Sequence, residues 1–152
     1  MQLIKPKLSD IAEMQNLVKP FIEDGIILPR SDEEVANTIR SYTIAKNDQN
    51  KIVGFSSLFI YTDKLAEVRS LVVSKEFQGQ KIGSEIVLKL IEEARSLGLM
   101  QLITLTYRAS FFTRLGFKQV PKEEVWHHKI WEDCIRCKHF PVCNEIALIL
   151  SL

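Results

Sequence analysis

The chain has 152 residues, 46% of them apolar and 26% charged, with a formal net charge of +1. That balance suits one globular domain with a full core. It offers no bulk attraction for nucleic acid or an anionic membrane. The opening MQLIKPKLSD lacks the apolar stretch of a secretory signal, and no apolar run reaches membrane-spanning length, so the expected location is the cytoplasm.

Residues 2–5 form a short strand candidate. Ser9 and Asp10 then offer a helix N-cap, and Ile11, Met14, Val18 and Phe21 recur at helical spacing, so a helix is predicted over 9–23 with Gly25 as its stop. A second helix begins at Ser31, which with Glu34 makes a capping box. Val35, Ile39 and Tyr42 would give its apolar face. Arg30 stands just before that cap. A cation beside a helix N-terminus suits a carboxylate ligand, and a solvated surface arginine is the plainer alternative.

TIAK, the turn NDQN and KIVGFSSLFIY read as a hairpin, with Gly54 marking a bulge or a close backbone approach. A third antiparallel strand follows at Leu65–Val73. Ile86, Val87, Leu90, Ile91, Ala94 and Leu97 form the buried stripe of a long helix that Gly98 ends. QLITLTY supplies a strand over 101–106, which implies a parallel pair with a right-handed crossover. ASFFTRLG is a short helix, FKQV a strand candidate and EIALILSL a final strand. The predicted class is α/β (α+β), a mostly antiparallel sheet split around one parallel crossover.

The chemistry concentrates in Ala66–Leu97. Strict alternation along the strand puts Glu67, Arg69, Leu71 and Val73 on one face and Ala66, Val68, Ser70 and Val72 on the other. The second face is small and apolar, fit for a core. Glu67 and Arg69 should line a cavity or else pair with each other. The turn SKEFQGQKIG leads from this strand into the helix, so free backbone N–H groups meet the positive end of a helix dipole. Such a place binds phosphate.

Gln78-Gly79-Gln80-Lys81-Ile82-Gly83, directly after a strand and opening a helix, resembles the [Q/R]-x-x-G-x-[G/A] pattern of the GNAT family of N-acetyltransferases. The first and last positions match; the central glycine is Lys81. Leu115-Gly116-Phe117 resembles the family's usual end to its last helix, and the element order matches over nearly the whole chain. The resemblance implies a single N-acetyltransferase domain over 1–152, with a sheet splayed at the acyl-CoA site and helices on both faces. It implies acetyl-CoA as co-substrate. Its pyrophosphate would be held by Gln78, Gly79, Lys81, Ile82, Gly83 and Ser84. Pantetheine would run along Leu71, Val72 and Val73, with the thioester carbonyl polarised by a strand N–H near Leu71 or Val72. A left-handed conformation at position 81 would strain a lysine, whose ammonium offers a phosphate contact instead. The amine acceptor must lose a proton before it attacks, and Glu67 is the candidate base. The family's usual acid, a tyrosine in the helix before LGF, is replaced here by Phe111-Phe112. Tyr107 is the nearest substitute, with a packing tyrosine as the alternative.

LPRS at 28–31, A-E-x-R-S-L-x-V at 66–73, L-T-Y at 105–107 and the stretch from Lys129 to Ala147 together look like short bacterial N-acetylglutamate synthases. That resemblance implies transfer of acetyl to the α-amine of L-glutamate, the first step of arginine biosynthesis. Two carboxylates on the acceptor need cationic partners. Arg30 and Arg69 meet that need, with Arg108 and Lys129 as further candidates. The larger synthases carry a kinase-like domain for which 152 residues leave no room, so arginine feedback through one is not expected. Another small amine or a protein N-terminus is the alternative acceptor. A weakly catalytic acyl-CoA-binding regulator is the alternative from outside the enzymes. The expected partners are these small molecules, with neither nucleic acid nor membrane, and a homodimer is compatible with the sequence.

Cys134, Cys137 and Cys143 lie in a cysteine-containing segment over 126–145. Their odd number, in a chain without an export signal, argues against disulfides. The spacing C-x2-C-x5-C, with His139 as a fourth ligand, admits a structural zinc, while reduced structural thiols are the simpler expectation.

Overall fold

A computed structural model describes residues 1–125 and 145–152. Seven strands form one sheet: β1 (Gln2–Ile4), β2 (Tyr42–Lys46), β3 (Ile52–Ile60), β4 (Leu65–Val73), β5 (Gln101–Thr106), β6 (Lys118–Val120) and β7 (Ile146–Ser151). Their spatial order is β1-β2-β3-β4-β5-β7-β6. Among the described strands only β4 and β5 pair in parallel. The α/β class and the single crossover are therefore as the sequence indicates. The final strand inserts between β5 and β6, a placement that local pattern does not specify.

Among the described residues, four α-helices flank the sheet: α1 (Ile11–Glu23), α2 (Asp32–Asn37), α3 (Ile82–Ser96) and α4 (Ala109–Arg114). On one face, Val87, Leu90, Ile91 and Ala94 of α3 pack with Phe112 of α4 on Leu58, Ala66, Val68, Leu102 and Leu148. On the other, Met14, Val18 and Phe21 of α1 and Val35 of α2 pack on Ile44, Phe55 and Val72. The helical periodicity of α1 and α3 thus selects the buried stripes, except that Leu97, expected to complete the α3 stripe, is the C-cap residue and is exposed.

Two boundaries differ from expectation. Ser9 and Asp10 belong to a 3-10 turn, and α1 proper starts at Ile11. The second helix keeps its capping box, with Glu34 N–H donating to Ser31 Oγ at 3.1 Å and Ser31 N–H to Glu34 Oε1 at 3.1 Å. It stops at Asn37, however, and Tyr42 opens β2 rather than completing a helical face. Tyr42-Thr43-Ile44 is an aromatic and β-branched run, and its ladder to β3 outweighs the helical spacing. Gly54 is a close backbone approach: a Cβ there would lie 2.9 Å from the Val72 carbonyl oxygen. Among the described residues no helix is long and apolar enough to cross a membrane.

Candidate active site

The site is built around a break in β4. Phe55 lies opposite Val72 and Ser57 opposite Arg69, so Ser70 and Leu71 together face Ser56. This is a β-bulge, and Ser70 takes φ +58° within it. The bulge reverses the side-chain parity, which corrects the strict alternation expected from sequence. Ala66, Val68, Leu71 and Val73 all pack toward α3. Glu67 and Arg69 face the other side, where Val72 joins the α1 cluster. Leu71 and Val73 therefore do not share a face with Glu67. At the bulge, buried Ser56 donates its hydroxyl to the Arg69 carbonyl at 2.9 Å.

The sheet opens at the same place. The β4–β5 ladder covers only Leu65–Glu67 against Gln101–Ile103. The first orphaned carbonyl, on Val68, accepts from buried Thr104 Oγ1 at 3.1 Å. Beyond that point, Ser74 N–H bonds the Val53 carbonyl of β3 at 2.8 Å. Backbone groups of alternate residues point the same way, so Val72 faces β3 as well, while Leu71 and Val73 present N–H and C=O to the gap. Gln78 Nε2 closes the end of the gap by donating to the Val73 carbonyl at 3.1 Å.

Next to the gap lies the N-terminus of α3. Lys81 is its N-cap residue, with φ +65°, and Gly79 has φ +84°. The strained conformation anticipated for Lys81 is thus present; Gly79 adopts its own without penalty. The first intrahelical bond runs from Glu85 N–H to the Lys81 carbonyl. The N–H groups of Ile82, Gly83 and Ser84 precede that bond and project from the helix end. Gly83 is closely packed: a Cβ would sit 3.5 Å from the Phe111 ring and 3.6 Å from Val73. Phe111, where an acid was sought, flanks the helix start and supplies no proton.

On the opposite face the side chains are polar. Glu67 is 8% exposed. Its Oε1 accepts from Tyr61 Oη at 2.5 Å and from Arg69 Nε at 3.3 Å. Arg69 also donates to Tyr61 Oη at 3.1 Å, and its guanidinium lies 3.7 Å above the Phe59 ring. The two charges sit on one side of the strand and pair with each other, as one of the two sequence expectations held. Burial, followed by the neighbouring Glu67 charge, pushes the Tyr61 phenol far up, so it stays a donor.

Arg30 sits at a small cavity of about 20 Å³, room for roughly one water, that Gln15, Leu28, Tyr42, Phe55 and Ser70 also line. Gln15 Nε2 holds the Arg30 carbonyl at 2.8 Å and Asp32 Oδ1 at 3.0 Å, tying this loop to α1. Burial raises the Tyr42 phenol as well, and the charges of Arg30 and then Arg69 oppose that shift. Tyr42 is therefore within electrostatic reach of both guanidiniums. Tyr107 lies one residue past β5 and is 41% exposed; alternation from Ile103 and Leu105 carries it to the Glu67 face. Arg108 is exposed at the N-cap of α4. Lys129, Cys134, Cys137, His139 and Cys143 lie outside the described residues. Among the described residues, no group of three or more His, Cys, Asp or Glu side chains is placed to hold a metal.

Residues 10–117 match the family model for the acetyltransferase (GNAT) family. The chain belongs to the GNAT acetyltransferases. The protein is 34% identical over 146 residues to an uncharacterized N-acetyltransferase of Chlorobaculum tepidum, across 96% of this chain and 93% of that one. It is 30% identical over 120 residues to the amino-acid acetyltransferase of Aeromonas salmonicida, across 78% of this chain and 27% of that protein. The chain thus spans about a quarter of that relative's length. The fold is that of N-acetylglutamate synthase from Neisseria gonorrhoeae, solved with coenzyme A and N-acetyl-glutamate: the TM-score is 0.87 at 24% identity, over 99% of this chain and 35% of that one.

Sequence reasoning about this GNAT protein did not single out Tyr61. The signal for it lay in the hairpin register. Phe59 pairs with Glu67, so Tyr61, two residues on, lies diagonally next to that carboxylate on the same face.

Proposed function

We propose that this GNAT protein transfers the acetyl group of acetyl-CoA to the α-amine of an amino acid, foremost L-glutamate, as N-acetylglutamate synthases do. The observation that carries the proposal is the pair Arg30 and Arg69 on the face of the sheet opposite the phosphate-binding helix end, both within electrostatic reach of Tyr42. An acceptor with carboxylates suits two guanidiniums, whereas a polyamine or a lysine side chain would want acids there. The names of the Aeromonas and Neisseria relatives point the same way.

In this reading the N–H groups of Gly79 and Lys81 through Ser84 hold the CoA pyrophosphate, with the Gln78 side chain fixing the turn. Pantetheine pairs with the open edge of β4 at Leu71 and Val73. Val72 contributes as packing beneath it. The Leu71 N–H polarises the thioester carbonyl as negative charge develops on its oxygen. Arg30 takes an acceptor carboxylate; Arg69, Arg108 and Lys129 are the further cations on offer. Glu67, largely buried, removes the ammonium proton through a water. The neutral amine then attacks the carbonyl carbon directly. The C–N bond forms, the C–S bond breaks, the CoA thiolate takes a proton from Tyr107, and the Tyr107 phenolate recovers one from the attacking nitrogen, which sheds its second proton to become the amide.

Thiol release from acetyl-CoA, measured against a panel of amino acids and polyamines, tests this. Turnover should be fastest with glutamate. Preference for a polyamine or a peptide N-terminus would replace glutamate as the acceptor. CoA binding with no turnover on any amine would leave a regulator instead of an enzyme.

A further inference from the structure

Tyr61 carries a role that the acetyl-transfer chemistry does not itself assign. Its side chain is buried at the end of β3, on the same face as Glu67, and its ring stands edge-on to Phe59 at 5.2 Å. The hydroxyl is used in both directions. It donates to Glu67 Oε1 at 2.5 Å and accepts from an Arg69 terminal nitrogen at 3.1 Å. Arg69 Nε meets the same carboxylate oxygen at 3.3 Å. Three side chains thus close a ring of hydrogen bonds, with Phe59 as the floor beneath the guanidinium.

The ring has a geometric reason. Glu67 and Arg69 are two residues apart on one strand, and their side chains leave the backbone nearly parallel. The direct bond between them is long, at 3.3 Å. A planar guanidinium fits a carboxylate best through two parallel bonds, and here one of the two positions is filled by the Tyr61 oxygen instead. Removing that oxygen takes one hydrogen bond from the Arg69 guanidinium and one from the Glu67 carboxylate, and so loosens the hold of each on the other.

We infer that Tyr61 is a positioning residue, whose hydroxyl locks the Arg69 guanidinium and the Glu67 carboxylate into one arrangement facing the acceptor. Its hydroxyl acts through those two side chains. The inference rests on the acetyl-transfer reading for its catalytic consequence but not for its geometric core. If Tyr61 acts through Arg69, the two residues are coupled rather than additive.

The test uses the whole chain and three variants: Tyr61→Phe, Arg69→Lys and the double substitution. Exchange of the Arg69 Nε–H, assigned by its loss in Arg69→Lys, is followed by NMR in the wild type and in Tyr61→Phe. Steady-state thiol release follows kcat and both KM values. In Tyr61→Phe, exchange should accelerate and kcat should fall about tenfold with the KM for acetyl-CoA unmoved. The double variant should be no slower than the slower single one. Unchanged exchange in Tyr61→Phe overturns the inference whatever the activity does, as does additive loss in the double variant. A wild type that acetylates no amine refutes the acetyl-transfer reading, and the exchange comparison then decides the positioning by itself.

Discussion

The two faces of β4 differ in what they are made of. On the α3 side the candidate donor site is almost all backbone: N–H groups at a helix start and the edge of β4 at Leu71 and Val73 that β5 does not cover. On the α1 side the candidate acceptor site is side chains: Glu67, Arg69, Tyr61, Tyr42 and Arg30. Backbone recognition tolerates sequence change as long as the chain path is kept. Side-chain recognition does not. This explains how Lys81 occupies a place where glycine is usual and the turn still forms. It also locates specificity on the face where single substitutions should matter most.

The largest effect should come from Glu67→Gln. An amide cannot take the ammonium proton, so kcat should fall by about 10² or more while CoA affinity, read by calorimetry, stays as it was. Equal losses of both would merge the two faces into one. Arg30→Ala comes next. Losing a charge-assisted bond to the acceptor carboxylate should raise the KM for glutamate about 10- to 100-fold with kcat little changed. A loss confined to kcat would remove Arg30 from the acceptor side.

How much of this comparison was legible in the sequence follows the same division. The candidate donor side depends on a short contiguous stretch, and the spacing from Gln78 to Gly83 with the apolar stripe of α3 marks that stretch as a strand, turn and helix start in the sequence itself. The acceptor side depends on register. Its residues come from β4, the end of β3, the start of β2 and the loop before α2. The bulge at Ser70 is invisible to an alternation rule, because Arg-Ser-Leu-Val-Val alternates no differently with or without an extra residue. Once Ser70 adopts φ +58°, Leu71 and Val73 change face and Arg69 stays with Glu67. Tyr42 was misplaced for a related reason: Val35, Ile39 and Tyr42 fit a helical stripe, but pairing with β3 fixes Tyr42 in a strand. Tyr61 needed the pairing of Phe59 with Glu67 to be noticed.

Smaller effects sharpen the same contrast. Gly54→Ala pushes a Cβ to 2.9 Å from the Val72 carbonyl, against backbone that cannot yield cheaply. A loss of about 1–3 kcal/mol in urea unfolding is expected, and it should weaken CoA binding more than the acceptor KM because the displaced strand is the donor edge. The tyrosines of the acceptor side set the alkaline limit. Tyr42 and Tyr61 both have phenols raised above the ordinary value near 10. Above that pH the unfolded chain loses protons that the folded chain keeps, so stability falls as pH rises. Below about pH 9 both states are protonated and these groups contribute no slope. Tyr42→Phe and Tyr61→Phe should each flatten the alkaline fall in unfolding free energy. Lys81→Gly should be the mildest change, gaining about 0.5–1 kcal/mol by relieving the left-handed conformation. No gain in thermal or urea unfolding would mean that the lysine is not strained there.

The division of labour across β4 is tested most directly by a crystal structure of the protein with CoA and N-acetyl-glutamate bound. The pyrophosphate should lie on the N–H groups between Gly79 and Ser84, pantetheine along Leu71 and Val73, and a carboxylate of the product against Arg30, with Glu67 facing the acetylated nitrogen. A product seated on the α3 side of the strand, or a carboxylate bound away from Arg30 and Arg69, would contradict it.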